Sequence, residues 1–429
     1  MLERSKGYLP LKIFRNISVQ NFFFLAVIQG TNILISIISV PLIIQRVGID
    51  QFGLINLSLS VITSLNIVVS FGYNLSGPRV AAVYQNNRYR LSKHFTSIVY
   101  SKIVLALLLT AVIVLITAFT NAFESYNTIL LFSTIILFSE ATQLVWFFQG
   151  IERTRIASVT NVLSKVLYLL AIIFFIDVPA NAKYVNFLWG ASALLFNIGL
   201  VIFALKHFKV YFVKAKITLL FRSIKENINL FFYNLISYIT VSGGIIILSF
   251  FESSVQLGMY GMVEKVVITL RFLPSLVLSA TFPKASHLFI HQRELYYSFL
   301  RKISSVAMVL SALVTLTTFF FASEIIHFLS KSYLEDSILY LKIMCIMPFL
   351  SSVNIYNMMY FLTRDLQQEM IKSSVINSIY MVLATTLLCY FYGTVGLCIG
   401  LVSSEVFTII TCTIVRLRHH KSESEKSIE

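Results

Sequence analysis

The chain has 429 residues, of which 57% are hydrophobic and only 12% charged, with a formal net charge of +15. Its apolar residues fall in runs of about 20, the length of helix that crosses a hydrocarbon layer of roughly 30 Å. That pattern excludes a soluble globular domain, and because the cations sit in loops between apolar runs, it also excludes reading the charge as a nucleic-acid signal.

Taken in chain order, the first predicted span, 19–44, follows Arg4, Lys6, Lys12 and Arg15 as a signal peptide would. Its apolar stretch exceeds 20 residues and lacks a small-residue cleavage site, so it is expected to be retained as a helix. The second and third spans, 52–75 and 98–119, enclose a loop bearing Arg79, Arg88, Arg90 and Lys93. Spans at 126–148, 156–176 and 184–205 follow, and a basic stretch at 206–226 leads to spans at 227–250 and 259–282. The last four are predicted at 303–322, 337–362, 373–392 and 394–415, ahead of a basic tail at 416–429. Alternate loops and the two ends collect 26 Lys and Arg residues, whereas the opposite loops hold only Arg46, Lys183 and Lys331. Basic residues near membrane helices are retained in the cytoplasm, so the asymmetry places both termini there and requires an even number of spans. Cys345, Cys389, Cys398 and Cys412 all lie inside spans without a CxxC pair and read as packing residues.

The chain contains a repeat. Gln51, Gly53, Val61 and Leu65 recur at an offset of 205 as Gln256, Gly258, Val266 and Leu270, and Pro78-Arg79 recurs as Pro283-Lys284. Six helices separate the copies, so both halves enter the membrane in the same direction, as in transporters whose halves are related by an axis along the membrane normal. The expected architecture is an all-α polytopic membrane protein of about twelve helices in two six-helix lobes around a central cavity. Residues 1–205 form the first lobe, 206–226 a cytoplasmic linker, 227–415 the second lobe and 416–429 a cytoplasmic tail.

Unpaired polar groups are costly in hydrocarbon, so polar residues at helical spacing either tie helices together or line a hydrated cavity. Gln29 and Asn32 in the first span, Asn56 and Ser60 in the second and Asn161 in the fifth are candidates for cavity lining. Ionisable groups at depth are sharper signals. Lys102 and Lys342 lie within about a turn of an interface and are expected to snorkel. Glu140, Lys165, Glu264, Lys265, Arg271 and Glu405 lie deeper. A structural reading pairs Glu264 with Arg271 or Glu140 with Lys165. A functional reading makes Lys165, Lys265 and Arg271, with Arg79, the cations that attract an anionic substrate, and makes Glu140, Glu264 or Glu405 the site of a coupling proton or sodium ion. His287 and His291 have no further ligands near them, and no P-loop, dinucleotide fingerprint, zincin motif or nucleophile elbow occurs. No metal site or cofactor is expected.

The segment carrying Asn21, Gln29, Asn32, Pro41, Arg46-Val-Gly48, Gln51-Phe-Gly53, Phe71-Gly72 and Arg79 resembles the N-terminal region of the Wzx-type O-antigen and polysaccharide flippases. These belong to the superfamily that also holds multidrug and toxic-compound extruders and the lipid II flippase. The resemblance implies movement of an undecaprenyl-pyrophosphate-linked oligosaccharide from the cytoplasmic to the outer leaflet of a bacterial inner membrane by alternating access, coupled to an ion gradient. A surface-polysaccharide polymerase and a chain-length regulator are candidate protein partners, on which the sequence is silent. Two rivals are weighed against it. A drug or cation antiporter of the same superfamily commonly uses an acidic residue in the first helix, and none is present here. A membrane polymerase or ligase typically carries a large outer loop with catalytic groups, and the longest outer segment here is only about 14 residues.

Overall fold

The computed structural model describes residues 17–120, 123–213 and 217–426, and all regular structure among them is helical. In chain order the helices are α1 (Ile17–Val47), α2 (Ile49–Ser70), α3 (Tyr73–Tyr84), α4 (Arg88–Phe119), α5 (Asn127–Ser133), α6 (Ile135–Thr142), α7 (Val145–Gly150), α8 (Thr154–Phe175) and α9 (Tyr184–His207). They continue as α10 (Ile217–Ser242), α11 (Gly244–Leu248), α12 (Ser254–His291), α13 (Arg293–Phe320), α14 (Ala322–Ser330), α15 (Glu335–Met344), α16 (Met347–Val353), α17 (Ile355–Thr363) and α18 (Gln367–Lys426).

Ten helical segments among the described residues are long and apolar enough to cross a membrane. Their outward faces are apolar, as with Leu107, Leu108, Val112 and Leu115 on α4; such a surface belongs against lipid. The segment Gln367–His420 is 54 residues long, and at 1.5 Å per residue it is well over twice the length one crossing needs. It breaks at Gly393, whose φ of 58° and ψ of −141° are non-helical, between the predicted spans 373–392 and 394–415. A side chain at Gly393 would also meet the Glu252 carboxylate. The predicted span 227–250 falls on α10 and α11, which are not among the ten.

Two predicted spans are interrupted rather than straight. The span 126–148 becomes α5, α6 and α7, with Gln143 turning extended (ψ 127°) after α6, and the span 337–362 becomes α15, α16 and α17. Each break frees carbonyls at a helix C-terminus, which need donors when buried.

The described residues form two compact units. One holds those up to Leu42 together with Val61–Asn234, and the other holds Ile43–Ser60 and the residues from Leu235 onward. The first unit is built on an aromatic core. Trp146, Phe147 and Phe148 of α7 are buried against Phe95, Tyr73 and Phe71, and Phe71 stacks on Phe231 at 4.6 Å. A Cβ on Gly77 would stand 2.8 Å from the Trp146 indole, so glycine lets α3 press against α7.

In the second unit α2 crosses α12 with no side chain between them. A Cβ on Gly53 would strike the Ser254 carbonyl and the Gly258 amide, and a Cβ on Gly258 would strike the Ile49 carbonyl. Adding 205 to Ile49 and Gly53 gives Ser254 and Gly258, so the two copies of the repeat meet reciprocally. Asn56 and Gly261, also 205 apart, touch in the same way, the Asn56 amide lying where a Gly261 side chain would go. A reciprocal contact of this kind is what a local two-fold relation produces, and small residues are what permit such close approach between membrane helices.

Candidate functional site

In the first unit α1 lies along α8. The Ser158 hydroxyl donates to the Phe24 carbonyl (3.1 Å), and about three turns further along α8 the Tyr168 hydroxyl engages Ser39. Between these two ties lie Asn32 on α1 and Asn161 and Lys165 on α8. Asn32 Oδ1 and Asn161 Oδ1 are buried acceptors with no hydrogen-bond partner in the structure.

Lys165 is only 6% exposed, and its ammonium stands 3.3 Å from the Trp189 ring centroid. Trp189 is held edge-on by Tyr168 at 4.9 Å. Among the described residues no carboxylate lies within 4 Å of the Lys165 ammonium. A cation over an indole face is stabilised by the ring quadrupole, yet its three N–H donors call for acceptors. Lys165 therefore combines a buried positive charge with an aromatic wall. Trp189 was not visible as a site residue in the sequence, because it lies 24 positions from Lys165 on another helix. Gln29 is exposed.

Glu140 does not pair with Lys165. Its Oε1 lies 3.1 Å from Nζ of Lys102, which also donates to the Glu140 carbonyl at 3.2 Å. Lys102 does not snorkel either, as its side chain is fully buried. The break after α6 explains both outcomes. It leaves a C-terminal carbonyl beside a carboxylate, and a buried ammonium satisfies the two together while complementing the negative end of the helix dipole.

The second unit re-pairs its charges as well. Arg271 on α12 bonds Glu405 on α18 through Nη2 and Oε1, and the Ser351 hydroxyl donates to Glu405 Oε2 at 3.4 Å. The expected pairing of Arg271 with Glu264 is thus absent, because Glu405 on the facing helix occupies the guanidinium. Glu264 is 6% exposed and accepts a hydrogen bond from the Tyr260 hydroxyl one turn away (3.3 Å). Among the described residues no cation lies within 4 Å of its carboxylate. Lys265 is half-buried beside it. Asn56 is buried against Gly261. Ser60 is a tie between helices, donating to the Ser242 carbonyl (3.2 Å) while its own carbonyl accepts from the Tyr238 hydroxyl (3.1 Å).

Arg79 is exposed. It borders a recess of about 880 Å³ framed by α3, the first turns of α4 and Glu226–Leu230 of α10, and among the described residues none of α1 or α8 lines it. His287 and His291 stack on one another at 4.4 Å, and no group of three metal-ligating side chains occurs among the described residues.

Interrupted apolar helices, charges paired at depth and outward apolar faces define a multi-span membrane protein, and comparison with solved structures places its fold. It is similar to a multidrug resistance MATE family transporter of the MOP superfamily in an inward-facing conformation, with a TM-score of 0.74 at 13% identity, covering 92% of this chain and 96% of that one. It is also similar to the lipid II flippase MurJ in an inward closed conformation, with a TM-score of 0.72 at 10% identity, covering 92% and 87%. Residues 18–289 match the polysaccharide biosynthesis protein family, and the chain belongs to that family. Over 419 residues it is 21% identical to an Escherichia coli (strain K12) protein named "Putative O-antigen transporter", covering 94% of this chain and 97% of the relative. A Shigella dysenteriae protein of the same name is 21% identical over 398 residues, covering 91% and 98%.

Proposed function

We propose that this protein is a transporter, not an enzyme, that moves an undecaprenyl-pyrophosphate-linked oligosaccharide unit from the cytoplasmic to the outer leaflet of a bacterial inner membrane by alternating access. The observation that carries the reading is Lys165, a buried cation with no carboxylate within 4 Å among the described residues, in a chain of the polysaccharide biosynthesis family. An intramembrane charge left without a counter-charge is costly unless it serves a ligand, and a pyrophosphate supplies the missing acceptors. Lys265 is the second cation offered to that substrate. Arg271 contributes less, because Glu405 already neutralises it.

Within this reading the chain comprises twelve spans in lobes at 1–205 and 227–415, joined by the linker 206–226, with both termini cytoplasmic as the 26 basic residues on that side require. The coupling proton or sodium ion binds at Glu264, since Glu140 and Glu405 already hold cations. A polymerase and a chain-length regulator take the product on the outer face.

The test is a strain that lacks this protein but keeps its glycosyltransferases, treated as spheroplasts with an impermeant sugar-modifying enzyme. Lipid-linked oligosaccharide should accumulate in a protected pool and become accessible when the gene is restored; unchanged exposure of single repeat units in the deleted strain overturns the reading. Lys165→Ala should lower export about tenfold or more, since one hydrogen bond to a charged group contributes about 1.5–3 kcal/mol. Arg271→Ala should lower it less. Full surface glycan at normal protein level in the Lys165 variant removes that residue from the substrate site.

A further inference from the structure

The recess at Arg79 has a chemistry of its own. Arg79 of α3 and Arg90 and Lys93 of α4 are exposed around it. Among the described residues no carboxylate lies within 4 Å of any of the three. One carboxylate, Glu226, stands in the lining. The Arg90 guanidinium lies 5.6 Å from the Tyr84 ring centroid, which holds it at the rim. Deeper in, His94 lines the wall, and its Nε2 is buried with no hydrogen-bond partner in the structure. Three unneutralised cations around one concavity repel each other and concentrate anions.

Apolar side chains flank Arg79 on α3. Leu75 and Val83 line the recess and are 51% and 72% exposed. With Arg79 they follow steps of four along α3, so one helix face presents an apolar, a cationic and an apolar group in line. A soluble anion has no use for such apolar groups, whereas an anionic headgroup with a hydrocarbon chain matches both kinds of side chain.

We propose that this recess binds the phosphoryl headgroup of a membrane amphiphile, with Arg79, Arg90 and Lys93 on the phosphate oxygens and Leu75 and Val83 along the start of the chain. Lys165 is not among the described residues that line the recess. The assignment of the recess to the cytoplasmic side rests on the orientation proposed above; its ligand chemistry does not. Phosphate oxygens suit guanidinium groups, which bind them bidentately, and the volume of about 880 Å³ is that of a ligand pocket.

The fold supplies a reporter. The chain has two tryptophans, and Trp146 packs against His94 of the recess at 5.7 Å. A full-length Trp189→Phe protein in phosphatidylcholine nanodiscs therefore reports from Trp146 alone. Titration with farnesyl pyrophosphate should change its emission saturably, and inorganic pyrophosphate should bind at least about tenfold more weakly because it leaves the apolar side chains unused. Arg79→Gln with Arg90→Gln should weaken farnesyl pyrophosphate at least about tenfold, since each lost guanidinium removes charge-assisted bonds. Both positions are exposed, so the double variant should keep the parent melting temperature. A curve shifted to higher concentration in phosphatidylglycerol nanodiscs, and unshifted in the double arginine variant, identifies bilayer phospholipid as the resident source of the phosphoryl group; an unshifted parent curve identifies a pyrophosphate-bearing amphiphile. No saturable change, or equal affinity in the arginine variant, overturns the site. Equal affinity for the two pyrophosphates overturns the amphiphile assignment. The assay reads binding without translocation, so its failure leaves the transport reading standing.

Discussion

Lys102→Met should lower the stability of the folded protein by about 3–5 kcal/mol, the cost of breaking a buried pair and leaving its partner charge uncompensated. Lys102 is fully buried, and its ammonium bonds both the carboxylate and the carbonyl of Glu140. Methionine fills most of the same volume but supplies no donor, so the Glu140 carboxylate loses its counter-charge and the Glu140 carbonyl keeps only the Gln143 backbone N–H. Lys102→Met combined with Glu140→Gln should recover much of the loss, because the remaining polar group no longer carries charge. The measurement is the melting temperature of purified protein in detergent for the parent, each single variant and the pair. A single variant as stable as the parent, or a pair no better than Lys102→Met alone, would show that the ion pair contributes nothing.

An equally large loss is expected at the crossing of α2 and α12. Gly53→Val and Gly258→Val each place a branched side chain where a backbone carbonyl stands. Backbone atoms cannot swing aside as a flexible side chain does, so the helices must separate. Overpacking usually costs about 1–3 kcal/mol and more where nothing can yield, and these two positions belong at the upper end. Gly30→Ala and Gly199→Ala are the matched controls. Both lie within helices, and a Cβ at either meets nothing within 4 Å, so each should be neutral or stabilising by up to about 1 kcal/mol through helix propensity. Yield of monodisperse protein and melting temperature across the four variants test this. Tolerance of valine at both crossing positions would refute the close approach.

Membrane character, approximate span positions and the repeat were legible in the sequence because each depends on local composition. A run of 20 apolar residues has few folded alternatives to a spanning helix, whatever surrounds it. The offset between Gln51-Phe-Gly53 and Gln256-Leu-Gly258 marked the two positions that later proved to touch. Where helices break was less legible. The run 126–148 is continuously apolar, and nothing in its composition announces the extended Gln143.

The depth of a charge could be read from the chain, but its partner could not. Lys102 and Glu140 are 38 residues apart and Arg271 and Glu405 134 apart, separations at which no periodicity survives. Lys165 stood out as a buried cation, while Trp189, the ring it rests on, came from a helix whose sequence gives no sign of that role. Arg79 could be grouped by charge with Lys165, and only the packing of α3, α4 and α10 placed it at a recess whose described lining does not include Lys165. The amino-acid sequence by itself determined that this is a multi-span helical membrane protein with a duplicated, glycine-marked motif, since hydrophobic burial and backbone satisfaction in lipid act on each segment separately. Tertiary structure alone decided which charges are paired and which have no counter-charge at hydrogen-bonding distance, because an ion pair needs its partners within about 4 Å and that depends on which helices are brought together.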